Sequence, residues 1–360
     1  MKKTQLLTLF FSLFLVYNGS SQDIHFSQFT ENPSLVNPAL TGSASVIRAS
    51  LIYKDQWRSV TVPYKTFGGS FDMKIKPTNW EKMGDHRTKV YKQAFNRLGA
   101  GLSFYNDKAG DGNMGTTQVN LSLSTFVPLT ANSYLSAGLQ GSIVQHKIDF
   151  SKLVFPNQYN GVTYDPNVNS GENFAAQNFI YPDFAGGVLW SYGYTEKAIG
   201  SNEKLKANIG ASMYHIGQPK QKYVVGTSDR LNSKYVIHGD LLYGIKNSNL
   251  GLEPSFMVQL QKPSTEIILG MMFKYYFKED SKYTGINKQS AFSLGAQYRN
   301  RDAVIIRAMV EYQVYAIGVA YDINTSSLTK ATTGRGGPEL FIRYSSPKPF
   351  LYQKSSAKFK

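Results

Sequence analysis

Five histidines, His25, His86, His146, His215 and His238, are the side chains best suited to proton transfer or metal binding in this 360-residue chain, and they are scattered. No H-E-x-x-H pair places two of them on one helical turn, and no spacing gathers a metal set. Neither a G-x-S-x-G elbow nor a Walker-type phosphate loop is present. The stretch NDKAGDGNMG (106–115) sets Asp107, Asp111 and Asn113 among glycines. It lacks the alternating oxygen ligands and closing Glu of a calcium loop, so it reads as a tight hairpin. GRGG (334–337) could form an anion nest, but its place before a strand reads as a turn. His238 and Asp240 are two residues apart and fall on one face of a strand, which suits hydrogen bonding more than catalysis. The expectation is a protein that is not an enzyme, with no cofactor and no metal.

A second set of reactive groups has order. Arg48, Asp72, Lys74, Asp240, Glu253, Glu266, Lys274, Arg307, Glu311 and Arg343 all fall on the polar parity of alternating segments. LGAGLSFYND (98–107) puts Leu98, Ala100, Leu102 and Phe104 opposite Gly99, Gly101, Ser103 and Tyr105. SYLSAGLQGSIV (133–144) repeats the pattern, and strict alternation over this length is strand. About fourteen such segments begin near positions 45, 65, 97, 115, 133, 181, 206, 234, 250, 265, 289, 303, 314 and 337. An even number of strands of this length predicts an all-β fold, a closed antiparallel outer-membrane β-barrel. A soluble two-sheet sandwich would alternate too, but explains the strand length and the 14% aromatic content less well. On the lipid face a midplane Arg or Lys would cost about 2–4 kcal/mol. The charged row, with Arg48, Asp240, Glu253, Arg307 and Glu311 as its clearest members, is therefore placed in the lumen.

Composition agrees. Charged residues are 18% of the chain, and 24 Tyr and 22 Phe accompany 31 Gly and no Cys. The opening MKKTQLLTLFFSLFLVYNGSSQ has two lysines, an apolar stretch and small polar residues, the build of an export signal over 1–21. At roughly eleven residues that stretch is too short for a spanning helix. The net charge of +15 on an exported chain points to acidic envelope lipid, glycan or protein, and not to nucleic acid. If the mature chain starts in the periplasm, loops after odd-numbered strands face outward, including the long 147–180, 216–233 and 323–336. The basic 75–94 connection then lies on the periplasmic side.

Residues 22–43 break the alternation. Phe26, Phe29, Leu35 and Leu40 make the segment too apolar for water, and Asn32-Pro33 and Asn37-Pro38 oppose helix and ladder. A barrel of this size has internal volume to fill. The segment is expected to fold into the lumen as a plug, with Phe26 and Phe29 against the wall and Asn37, Pro38 and Ala39 in a turn. The barrel then occupies 44–345, followed by a periplasmic tail, 346–360.

The segment also carries a family resemblance. QDIHFSQFTENPSLVNPALTG followed by RASLIYKDQWRSV resembles the start of the PorP/SprF family of type IX secretion membrane proteins. LGAGLSFYNDKAGDGNMGTTQVNLSLS (98–124), LSAGLQGSIVQHKIDFSKLVFPNQY (135–159), ANIGASMYHIGQP (207–219) and AIGVAYDINTSSL (316–328) are similar to that family in the same order. The resemblance implies localisation in the outer membrane and partnership with the type IX secretion machinery. It further implies a cognate secreted surface protein, such as a gliding adhesin, that carries a type IX C-terminal sorting domain; another kind of member serves the core apparatus. Within the longest outer loop, Phe155, Tyr159 and Tyr164 are the expected partner-binding residues, since tyrosine joins a broad apolar face to a polar tip. The rival reading is a channel for hydrophobic compounds, because NPAL (37–40) resembles the Asn-Pro-Ala hatch motif of long-chain fatty acid transporters.

Overall fold

The alternating segments form one closed wall. A computed structural model describes residues 23–59, 62–75, 98–110, 112–130, 132–165, 167–171, 178–195, 204–221, 229–278, 290–327 and 329–346. Its strands are β1 (Ile47–Gln56), β2 (Tyr64–Ile75), β3 (Leu98–Ala109), β4 (Met114–Pro128), β5 (Ser133–Lys147), β6 (Asn178–Thr195) and β7 (Lys204–Tyr214). A small hairpin, β8 (Lys220–Gln221) with β9 (Asp229–Arg230), follows. The wall resumes with β10 (Lys234–Gly244), β11 (Leu250–Gln261), β12 (Ser264–Lys278), β13 (Ser290–Arg299), β14 (Ala303–Tyr312), β15 (Tyr315–Asn324) and β16 (Arg335–Ser346). Fourteen of the sixteen strands pair with their neighbours in sequence, and β1 pairs with β16 to close the barrel. Their starts lie within three residues of the positions expected from alternation. Closure leaves no edge of unpaired backbone facing lipid, which a membrane does not tolerate.

The two faces differ as the parity requires. Leu102, Leu121, Leu139, Val188, Phe273 and Ile317 are more than half exposed, while Ser103, Asn120, Gln140, Ser191 and Ala316 beside them are buried. Exposed tyrosines mark two levels on the outer face. Tyr64, Tyr235, Tyr298 and Tyr321 lie toward one end of the strands, and Tyr243, Tyr275, Tyr312 and Tyr315 toward the other. Such girdles sit at the water interfaces of a membrane barrel. Among the described residues no helix is long and apolar enough to cross a membrane; the strands do the crossing.

The first end, which we call the loop end, joins β5 to β6 through the longest connection and β7 to β10 through another long one. The second, the turn end, holds the two-residue β14–β15 turn and the tight 129–132 and 245–249 connections. The signal region, the 76–97 connection and the 347–360 tail lie outside the described residues.

Residues 23–43 run through the lumen from one end to the other. Asp23 meets Gln261 and Lys234 at the loop end, and Gly42 meets Asp72 at the turn end, close to where β1 begins. The premise that the mature chain and β1 start on the same side is therefore replaced. If the loop end faces outward, so does Asp23. The orientation rests instead on connection length, since short periplasmic turns and long outer loops are the rule for such barrels.

Candidate functional site

Three single 3-10 turns build the lumenal segment: Phe29–Glu31, Pro33–Leu35 and Pro38–Leu40. Pro33 and Pro38 each open a turn, where a missing N–H costs nothing and the fixed φ helps. Asn37 caps the third turn, its Oδ1 accepting from the Ala39 N–H at 2.9 Å. Such short turns leave most of their carbonyls without internal partners, and a buried carbonyl needs one. The wall supplies them from inward hydroxyls. Tyr214 Oη donates to Ser34 O (3.0 Å), Ser212 to Val36 O (2.6 Å), Ser136 to Ala39 O (2.8 Å) and Ser124 to Thr41 O (2.6 Å). Asn37 Nδ2 donates to Val188 O at 2.9 Å and meets His238 Nε2 at 3.1 Å.

Toward the loop end the wall supplies charge. The Glu339 carboxylate accepts from the Ser27 and Gln28 N–H groups at 2.8 and 2.7 Å. Asp322 accepts from Ser27 Oγ, and Arg299 bridges both, 2.6 Å from Ser27 Oγ and 3.0 Å from Asp322. Lys54 donates to His25 O at 3.1 Å. Lower down, Glu31 lies 2.7 Å from Arg343 and 3.4 Å from Arg48, and Arg48 also donates to Thr30 O. Arg343 continues to Glu311 at 2.5 Å, Glu311 contacts Lys274, and Lys274 reaches Glu253 at 3.2 Å. One buried chain of charges thus links the segment to β1, β11, β12, β14 and β16.

The five lumenal charges named from sequence all lie on the buried face, with different partners. Arg48, Glu253 and Glu311 are in ion pairs. Asp240 accepts from Asn208 at 2.8 Å, and His238, its companion in sequence, serves Asn37 instead. Arg307 forms no ion pair within the described residues. With the Gln297 amide turned so that its oxygen faces Arg307 (2.7 Å) and its nitrogen faces Ser27 O (2.8 Å), the orientation these neighbours require, Arg307 reaches the segment through one neutral side chain. Phe26 and Phe29 are buried in separate clusters. Phe29 packs with Val236, Met257 and Ile268, and Phe26 with Ile52, Met309 and Phe341. Pro38 and Ala39 press on wall glycines: a Cβ on Gly138 would stand 2.4 Å from Ala39 N and from Pro38 C.

Sequence reasoning missed several of these groups. Lys54, Asp322 and Glu339 share the inward parity that identified Arg48 and Arg343 and were within its reach. Asp23 and Glu31 had no such signal, because an aperiodic segment assigns no face. Nor did His215, which lies just past β7 with φ of 56°, in the left-handed region. Its imidazole joins Asp183 (2.8 Å) to Asp23 (2.5 Å), and Lys234 stands 3.1 Å from Asp23. Burial alone would lower the His215 pKa, but the two carboxylates overcome it and raise it to about 9. The long 216–233 connection starts at His215 and ends at Lys234, so both of its feet grip the first described residue of the segment.

The 148–171 loop stands apart from this packing. Asn160 Oδ1 accepts from the N–H groups of Val162 and Thr163, forming a tip between Tyr159 and Tyr164. Those two rings lie 5.2 Å apart, 51% and 52% exposed, and Val162 between them is 89% exposed. Buried Gln158 braces the base, accepting from Phe155 N–H and donating to Val168 O, each at 3.0 Å. Phe155 itself is half-buried.

Two pockets beside the segment have volumes of about 10 and 20 Å³, enough for a water molecule each. Among the described residues no three His, Cys, Asp or Glu side chains gather as a metal set.

Solved outer-membrane barrels are similar to the chain in fold. The β domain of the Bordetella autotransporter BrkA has 7% identity and a TM-score of 0.38, over 84% of this chain and 98% of that one. A ΔS2S3 mutant of the monoaromatic hydrocarbon channel TodX gives 9% and 0.42, over 88% and 94%. A Pseudomonas aeruginosa FadL homologue gives 11% and 0.40, over 86% and 92%. No curated protein matches the sequence. The family comparison is specific where these are distant: over residues 18–344 the chain matches, and belongs to, the PorP/SprF family of type IX secretion system membrane proteins.

Proposed function

We propose that this outer-membrane component of type IX secretion supports export and cell-surface attachment of a cognate secreted protein, a gliding adhesin being one kind. The surface we assign is the 148–171 loop. The observation that carries the reading is the Tyr159–Tyr164 pair, two half-exposed rings held by a braced loop above an occupied lumen. Aromatic side chains that are already ordered lose little entropy on docking. The partner we assign is a secreted protein with a type IX C-terminal sorting domain, and membership of a type IX secretion family supports that class.

In this reading residues 23–43 are a plug that makes the barrel a support and not a conduit. Segment and wall exchange hydrogen bonds and ion pairs from Ser27 to Thr41. A channel for hydrophobic compounds needs a continuous apolar path, whereas charged and hydroxyl side chains line this one.

The test removes 156–170 in one strain and 347–360 in another, checks barrel assembly in each, and measures cargo on cells and in medium. Release or degradation of cargo in the loop deletion alone supports the proposal. Normal surface retention in that strain refutes it, and loss in the tail deletion alone moves docking to the other side of the membrane.

A further inference from the structure

The outer face ends in unpaired positive charge at the loop end. Lys65 is the second residue of β2, Lys108 and Lys147 stand in the last two positions of β3 and β5, Lys262 and Arg301 occupy the β11–β12 and β13–β14 turns, and Arg335 opens β16. All six are exposed, and none has an ion-pair partner among the described residues. The described carboxylates at the same end, Asp55, Asp107, Asp149, Asp165 and Asp302, are buried or half-buried. Among the described residues with an assigned exposure, exposed base at this end is therefore not matched by exposed acid. In circular order the six cations fall on β2, β3, β5, the β11–β12 and β13–β14 turns, and β16, which encircles the barrel except across β6, β7 and β10. They stand at or just beyond the level of Tyr64, Tyr235, Tyr298 and Tyr321, the girdle that marks the membrane interface.

We infer that this ring binds the phosphate groups of phosphorylated lipids in the leaflet around the loop end. The geometry favours lipid over a protein partner. A docked protein covers one side of a barrel, whereas headgroups surround it at one height, as these charges do around most of it. Lysine and arginine next to a bilayer surface are drawn to anionic headgroups, and each phosphate oxygen offers charge-assisted hydrogen bonds. Neutralising the ring would also relieve the mutual repulsion of like charges on a chain with net charge +15. The ring does not involve Tyr159 or Tyr164, so this inference stands apart from the cargo-docking proposal.

The experiment uses the full mature chain in detergent and three probes: a bisphosphorylated lipid A, the same lipid dephosphorylated, and inorganic phosphate. Lipid retained on the purified protein is counted by native mass spectrometry, and the thermal midpoint is followed with each probe. A variant with K65Q, K108Q, K147Q, K262Q, R301Q and R335Q is compared, with two three-residue halves of it in case the full set fails to assemble. The expected result is retention of several phosphorylated lipids and a raised midpoint, both falling at least several-fold in high salt and in the variants. Equal retention of the dephosphorylated lipid would overturn the inference, because acyl contact alone would then suffice. An equal effect of inorganic phosphate would overturn it in favour of a free-anion site. Unchanged lipid retention by both half-ring variants, with loss of binding to an acidic protein instead, would assign the ring to a protein partner.

Discussion

At the scale of single residues, contact between the wall and the lumenal segment is decided by a few atoms. Gly138 and Gly187 face the third turn so closely that a methyl group would overlap Ala39 N in one case and Asn37 Oδ1 in the other. Overpacking of this kind costs about 1–3 kcal/mol. Gly138→Ala is expected to push the segment from its seat while the strands still close. Limited proteolysis of the detergent-solubilised protein should then cut within 23–43 several times faster than in the native protein, and an unchanged rate would show that the wall yields instead. His215 supplies a pH test. Its folded pKa, about 9, lies above the ordinary 6.5. Its contribution to stability is therefore complete below about pH 6.5 and is lost as pH rises through about 9. Between pH 7 and 10 the thermal midpoint of the native protein should fall more steeply than that of His215→Gln, and parallel curves would count against the clamp.

At the scale of elements, what could be read from sequence divides by periodicity. Each wall strand announces itself by alternation, since one face meets lipid and the other a polar lumen, and β3 and β5 could be assigned residue by residue. The inward charges followed from the same rule, and Arg343 and Glu311 do meet. The path of residues 23–43 was not readable, because its 3-10 turns repeat too briefly to mark a face and its partners are up to 312 positions away in sequence. For the same reason neither Asp23 at the loop end nor the His215 clamp could be foreseen. The segment's hold on the wall is itself testable at Glu31, which buried Arg48 and largely covered Arg343 share. Removing one member of a buried ion pair costs about 3–5 kcal/mol, mostly from the charges left behind. Glu31→Gln should lower the midpoint of the heat-induced gel-mobility shift. Adding Arg343→Gln should cost less than the sum of the two single changes, and strict additivity would mean that the pair is not coupled.

At the scale of the whole molecule, a closed barrel holds a chain that enters its lumen at the loop end and leaves at the turn end. With the loops outward, Asp23 lies on the outer side of the membrane, between His215 and Lys234. A short epitope placed directly before Asp23 should therefore be reached by antibody on intact cells, and detection only after permeabilisation would reverse the orientation. The central claim is that the lumen is filled and the working surface is the loop end. Conductance across a planar lipid bilayer tests it most directly, comparing the native protein with a variant lacking residues 24–40. The native protein is predicted to insert silently and the deletion variant to open steady ion-conducting steps. Sustained conductance by the native protein would contradict the claim and return the barrel to the class of channels.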